Sequence, residues 1–116
     1  MAYTTTTKQW FNDAAPALVD AAGDDVAGAI AGPVLFEIAG ADGGAWLVDF
    51  ALRTVRSVDA SKPGAVPKLI VRAAERDFMA LVEGRMSADD GVLTKRLHVA
   101  GDVSSIARLM TALTDH

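Results

Sequence analysis

The first part of the chain has the spacing of an amphipathic helix. Trp10, Phe11, Ala14 and Leu18 recur at steps of three and four residues, which places them on one face of a helix. Pro16 falls inside this pattern, and a proline in a helix interior removes one backbone hydrogen bond. The spacing therefore predicts a helix that breaks at Pro16, with a second helix beginning there.

After residue 33 the pattern changes to the alternation that is typical of strands. Residues 34–39 and 45–52 each place apolar side chains on one face, while Glu37 and Asp49 fall on the other. The Gly-rich segment 40–44 between them favours a hairpin turn. The pattern predicts a buried face and an outward face that carries the acids.

The rest of the chain alternates between the two kinds of element. A weak edge strand is predicted over 53–59, followed by a loop over 60–67 and a strand over 68–73. A helix over 75–83 ends at Gly84, and Ser87 caps a short helix after it. The chain then continues with a strand over 96–100 and a C-terminal helix from Asp102. This order predicts an α+β fold with helices on one face of the sheet.

Composition narrows the class of protein. A chain of 116 residues is the size of a single domain, so residues 1–116 are predicted to form one. The net charge of −4 argues against nucleic acid as a partner, and the absence of cysteine excludes disulfides and thiolate metal sites. The first ten residues lack the apolar stretch of a secretory signal, and no apolar run approaches the ~20 residues of a membrane span. These features predict a cytoplasmic protein.

Few residues of the chain support a catalytic function. His98 is the only internal histidine, and strand alternation points it outward. The chain has no Gly-x-Ser-x-Gly motif, and the neighbouring Asp89 and Asp90 would diverge by ~100° on a helix. With two histidines in all and no acid near them at ligand spacing, a zinc site is not indicated. We therefore expect no catalytic residue, no metal and no cofactor.

Four stretches together resemble the sterol carrier protein type 2 (SCP-2) domain family. They lie in family order and at family spacing, at residues 32–38, 45–50, 77–86 and 96–102. The most specific is DFMALVEGRM at 77–86, which resembles the family's helix ending in a Gly-basic-Met turn. The resemblance covers nearly the whole chain, with its core at about residues 11–113.

The resemblance implies both a fold and a function. The fold would be a five-stranded, mainly antiparallel sheet with helices covering one face and an apolar tunnel between them. The function would be non-enzymatic binding or transfer of a fatty acid, fatty acyl-CoA, sterol or phospholipid. Such a ligand gains ~0.8 kcal/mol for each CH₂ group that leaves water, so an apolar tunnel suffices to bind it.

The resemblance also suggests where the ligand would lie. The residues predicted to line the tunnel are Trp10, Phe36, Trp46, Phe50, Phe78, Leu81, Val92, Leu93, Ile106 and Met110. Filling of the core is the favoured alternative for each aromatic residue. Met79, Met86 and Met110 would suit a pocket that adapts its shape, and simple packing is the favoured alternative for each of them. Arg85 and Lys95 are candidates for contact with a lipid headgroup or an anionic membrane, the alternative being a solvated basic face.

Two other functions stay open at this point. The chain could be an interaction module, either a homodimer or a small subunit that partners an enzyme and has no ligand of its own. It could also be a small enzyme acting on a buried hydrophobic substrate. The carrier hypothesis also includes transient contact with a membrane through Val92 and Leu93.

Overall fold

The structure is a computed structural model, and it describes residues 7–20, 32–40, 43–59, 61–62, 64 and 66–101. The strands are β1 (Val34–Ala39), β2 (Gly44–Asp49), β3 (Thr54–Val58), β4 (Leu69–Ala74) and β5 (Leu97–Gly101). The helices are α1 over residues 7–20, α2 (Glu75–Val82) and α3 (Ala88–Leu93). The predicted C-terminal helix, with Ile106 and Met110, lies outside the described residues.

The five strands form one sheet in the order β3-β2-β1-β4-β5. β1 and β4 are parallel at the centre, and the other three neighbouring pairs are antiparallel. The prediction of an α+β fold with a five-stranded, mainly antiparallel sheet is therefore confirmed. The weak third strand lies at an edge, as its polar residues indicated.

One face of the sheet, here called the helix face, carries the main hydrophobic core. The alternating residues that the sequence assigned to the buried face are those that pack there, including Val34 and Phe36 of β1 and Val48 of β2. Phe11 of α1 and Phe78 of α2 are fully buried against them. The helix face and these two helices thus enclose the region where a ligand was predicted.

The opposite face of the sheet, here called the outer face, differs from the prediction. Leu35, Ala45 and Leu47 are buried in a second hydrophobic cluster, with Val58 and Ile70 packed against them. Leu35 is paired with Leu47 on one side and with Ile70 on the other, so apolar side chains adjoin across three strands. Alternation identifies residues that share a face, but it does not tell whether that face is shielded from water.

The helix α1 does not break at Pro16, so that prediction is wrong. One turn, Trp10–Ala14, widens into a π-helix, in which the Ala15 N–H donates to the Trp10 carbonyl, and helical structure continues over residues 15–20. A proline lacks the N–H that would bond to Asn12, and its ring would press on the Asn12 carbonyl in a regular α-helix. The wider turn relieves that conflict without ending the helix.

Candidate functional site

The helix face holds a cluster of aromatic rings centred on Phe11. Its ring stacks on Trp46 with centroids 4.3 Å apart and on Phe78 with centroids 5.2 Å apart. Trp10 meets Phe11 and Phe78 edge-on, at 5.0 and 5.3 Å, and Phe36 lies 5.4 Å from Phe11. We call these five residues the aromatic cluster. Rings this close leave no room for a ligand between them.

The structure brings some of the predicted tunnel residues together and separates others. Trp10, Phe36, Trp46 and Phe78 belong to the aromatic cluster, and Phe50 and Leu81 are buried in the same core. By contrast, Val92 is 44% exposed and Leu93 is 80% exposed on α3. Ile106 and Met110 lie outside the described residues.

An apolar cavity of about 400 Å³ lies between α1 and α2. Its described lining consists of Trp10, Ala14, Ala17, Leu18, Met79, Val82 and Glu83. Small-molecule sites in proteins typically measure ~300–1,000 Å³ and are mostly apolar with a few polar groups. Ala14 and Ala17 have side chains too small to fill the space between the two helices. This apolar cavity is the candidate ligand site.

The cavity and the aromatic cluster share one residue. Trp10 packs on Phe11 and Phe78 and also lines the cavity. On α2, all four of these residues are buried in the core: Phe78, Met79, Leu81 and Val82. Two of them, Met79 and Val82, also contribute to the cavity wall. The cluster therefore gives the cavity a tightly packed apolar backing.

The rim of the cavity is polar, and a turn at the end of α2 positions it. Gly84 has a φ of +79° and its N–H donates to the Leu81 carbonyl, while the Arg85 N–H donates to the Ala80 carbonyl. This pair of hydrogen bonds is a Schellman motif, which favours glycine at the left-handed position. The predicted end of the helix at Gly84 is thus confirmed, and the turn places Glu83 and Arg85 side by side.

Glu83 is the one charged residue in the described lining of the cavity. Arg85 donates to its Oε1 from two nitrogens, one of them Nε at 3.1 Å, and both side chains stay partly in water. We call Glu83 and Arg85 the mouth. Lys95, the other predicted headgroup contact, is exposed in a left-handed turn after α3 and does not line the cavity.

Several cavity residues were missed by the reasoning from sequence, namely Ala14, Ala17, Leu18, Val82 and Glu83. A signal for two of them was present, because Ala14 and Leu18 follow Trp10 at steps of four on one helix face. Nothing in the sequence marked Glu83, because its position depends on how α2 meets α1.

A second, more open groove of about 650 Å³ lies at one end of the outer face. There, Arg72 donates from Nε to Glu37 Oε2 at 2.7 Å, and His98 is the cross-strand neighbour of Arg72. His98 is exposed, as predicted. Across the described part of the chain, no group of three His, Asp or Glu side chains is arranged to hold a metal, and no helix there is long and apolar enough to span a membrane.

The comparisons with known proteins agree with the fold. The model of the SCP-2 sterol transfer family matches residues 11–114. Sterol carrier protein domain 2 of Helicoverpa armigera is 12% identical over 99% of this chain and 97% of its own, with a TM-score of 0.70. Palmitated SCP2L2 of Aedes aegypti is 18% identical over 97% of each chain, with a TM-score of 0.67.

A third similar structure is described as UbiJ-SCP2, a ubiquinone synthesis protein. It is 12% identical over 91% of each chain, with a TM-score of 0.68. No curated protein matches the sequence.

Proposed function

Because the chain belongs to the SCP-2 sterol transfer family, we propose that it binds or transfers a hydrophobic ligand and catalyses no reaction on it. The ligand would be a fatty acid, fatty acyl-CoA, sterol or phospholipid, taken up in the cytoplasm. The observation that carries this proposal is the apolar cavity between α1 and α2, where Glu83 at the rim is the one charged residue of the described lining.

The physical basis is the removal of the ligand's tail from water. Each buried CH₂ group contributes ~0.8 kcal/mol, so apolar walls bind a tail without specific hydrogen bonds. Met79 gives part of the wall a flexible, polarisable side chain, which adapts to tails of different shape. A wall of this kind distinguishes poorly between neighbouring chain lengths, since one methylene is worth only ~1–3 kcal/mol.

In this proposal the predicted site residues have different roles. Trp10 contacts the tail directly, together with Met79 and Val82. The apolar backing behind the tail would consist of Phe36, Trp46, Phe50, Phe78 and Leu81. The site would extend towards a membrane through Val92, Leu93, Ile106 and Met110.

Filling the cavity tests the proposal. Ala17→Trp places a large side chain in the lining and should reduce uptake of a fluorescent fatty acid by delipidated protein at least about tenfold, or ~1.4 kcal/mol. Asn12→Trp adds the same side chain at an exposed position of α1 outside the lining and should leave uptake unchanged. Equal uptake by the two variants would place the ligand elsewhere. An absence of bound lipid by mass spectrometry and of uptake by the unmodified protein would refute the carrier function.

The proposed headgroup contacts have their own test. If Arg85 or Lys95 meets an anionic headgroup, Arg85→Ala or Lys95→Ala should weaken binding to anionic lipid. Unchanged affinity in both variants would show that Arg85 and Lys95 belong to a solvated basic surface and do not contact the headgroup.

A second candidate function is an accessory module that partners an enzyme. It is favoured by the likeness in fold to UbiJ-SCP2 and by the exposed Leu93, an apolar side chain on a short surface helix. Size-exclusion chromatography with a pull-down separates the two functions. A stable partner or homodimer, combined with no lipid uptake, would favour the module.

A further inference from the structure

We infer that Glu83 makes the mouth of the cavity select ligands with an uncharged, hydrogen-bond-donating headgroup, such as a fatty alcohol, over ionised fatty acids. This inference rests on the proposed function and concerns the same cavity. It adds the chemical class of the ligand's polar end and the residue that determines it.

Glu83 lies where the polar end of a bound ligand would be. It is the one charged residue among the described residues that line the cavity, and its side chain is 41% exposed at the rim. A tail lying along Trp10, Met79 and Val82 therefore leaves its polar end close to a carboxylate.

The carboxylate of Glu83 is hydrogen-bonded through one of its two oxygens. Both bonds from Arg85 reach Oε1, and Oε2 accepts none from any residue that the structure describes. A carboxylate oxygen is an acceptor only, so it pairs with a headgroup that brings a proton. A hydroxyl fits this requirement, whereas an ionised carboxylate has no proton to donate.

The guanidinium of Arg85 is already paired with Glu83. Arginine binds carboxylates through two parallel N–H donors, and the edge formed by Nε and one terminal nitrogen is already used by Glu83. An acid headgroup would have to displace Glu83 from that edge or use the remaining donors of the guanidinium, and in either case it would lie beside the negative charge of Glu83. The ion pair thus reduces the advantage that a lone arginine at the mouth would give to an acid.

The experiment compares two ligands with identical tails. Calorimetric titration measures the affinities for dodecanol and for dodecanoate, at a pH well above the usual carboxylate pKa of ~4.3. Because the two tails are identical, their contribution cancels in the ratio of the two affinities. We expect the unmodified protein to prefer dodecanol. Glu83→Gln removes the negative charge that neutralises Arg85 and repels an acid, and should shift the ratio towards dodecanoate about tenfold, or ~1.4 kcal/mol.

Two further variants make the result specific. Glu37→Gln removes a glutamate that is also paired with an arginine, but on the outer face, and should leave the ratio unchanged. Arg85→Gln leaves Glu83 without its counter-ion and should increase the preference for the alcohol. This second variant also decides the matter if circular dichroism shows that Glu83→Gln does not fold.

The outcomes separate the two proposals. If both ligands bind and the ratio is the same in the unmodified protein, Glu83→Gln and Arg85→Gln, the selection by Glu83 is refuted while the carrier function stands. If neither ligand binds the unmodified protein, the inference is refuted. The carrier function fails as well if that protein also contains no lipid by mass spectrometry and takes up no fluorescent fatty acid.

Discussion

Replacing Phe11 with alanine should destabilise the fold more than any single surface change. Phe11 is 1% exposed, and four other rings surround it: Trp10, Phe36, Trp46 and Phe78. A buried Phe→Ala change costs ~3–5 kcal/mol, and a favourable pair of aromatic rings contributes ~0.5–1.5 kcal/mol beyond the area that it buries. Because Phe11 stacks on two rings, the expected cost of Phe11→Ala lies near the top of that range, at about 4–5 kcal/mol.

Urea unfolding followed by circular dichroism measures this cost. A domain of this size has a free energy of unfolding of ~5–15 kcal/mol, so the loss is a large share of the total. With an m-value of ~2 kcal/mol per M, the midpoint should fall by roughly 2 M.

A conservative variant separates ring stacking from volume. Phe11→Leu keeps much of the apolar volume and loses the stacked geometry, so it should cost about 1–2 kcal/mol. Asn12→Ala, at the exposed neighbouring position, should change stability by less than ~0.5 kcal/mol. A cost of Phe11→Ala below ~2 kcal/mol would refute the view that Phe11 organises the core between α1 and the sheet.

Three smaller predictions concern other parts of the molecule. Leu47→Ala should cost about 2–4 kcal/mol in urea unfolding, because Leu47 is buried on the outer face; a cost below ~1 kcal/mol would mean that water reaches this face. Ser87→Ala removes the hydroxyl that accepts the Asp90 N–H at 3.1 Å and should cost ~1 kcal/mol, with faster amide exchange at Asp90; unchanged exchange would contradict the cap. Hydrogen bonds from the side chain and backbone of Ser61 hold the pKa of Asp59 below its usual value. Ser61→Ala should therefore raise this pKa in an NMR titration, and a constant pKa would show that the hydroxyl does not stabilise the carboxylate.

Features that depend on neighbours in sequence were predictable. The face that each strand residue occupies follows from alternation, as Val34 and Phe36 show, because successive side chains point to opposite sides. The end of α2 at Gly84 and the cap of α3 at Ser87 follow from local backbone geometry and a single side-chain hydrogen bond.

The candidate site was predictable only in part. The sequence indicated Trp10 and the aromatic residues that back the cavity, because large apolar side chains are expected in a core. It did not indicate that Met79, which is buried in the same core as its neighbour Phe78, also lines a cavity. That depends on how α2 packs against α1.

The class of fold could be predicted from the order of the elements along the chain. The faces of the strands, the end of α2 and the cap of α3 could be predicted because they result from interactions within a few residues. Three features are visible only in the folded protein: β1 and β4 pair in parallel, Leu35 and Leu47 are buried on the outer face, and Glu83 lies at the rim of a cavity. Each of these depends on contacts between segments far apart in the chain. The space that is left between packed helices is a property of their arrangement, and no single segment encodes it.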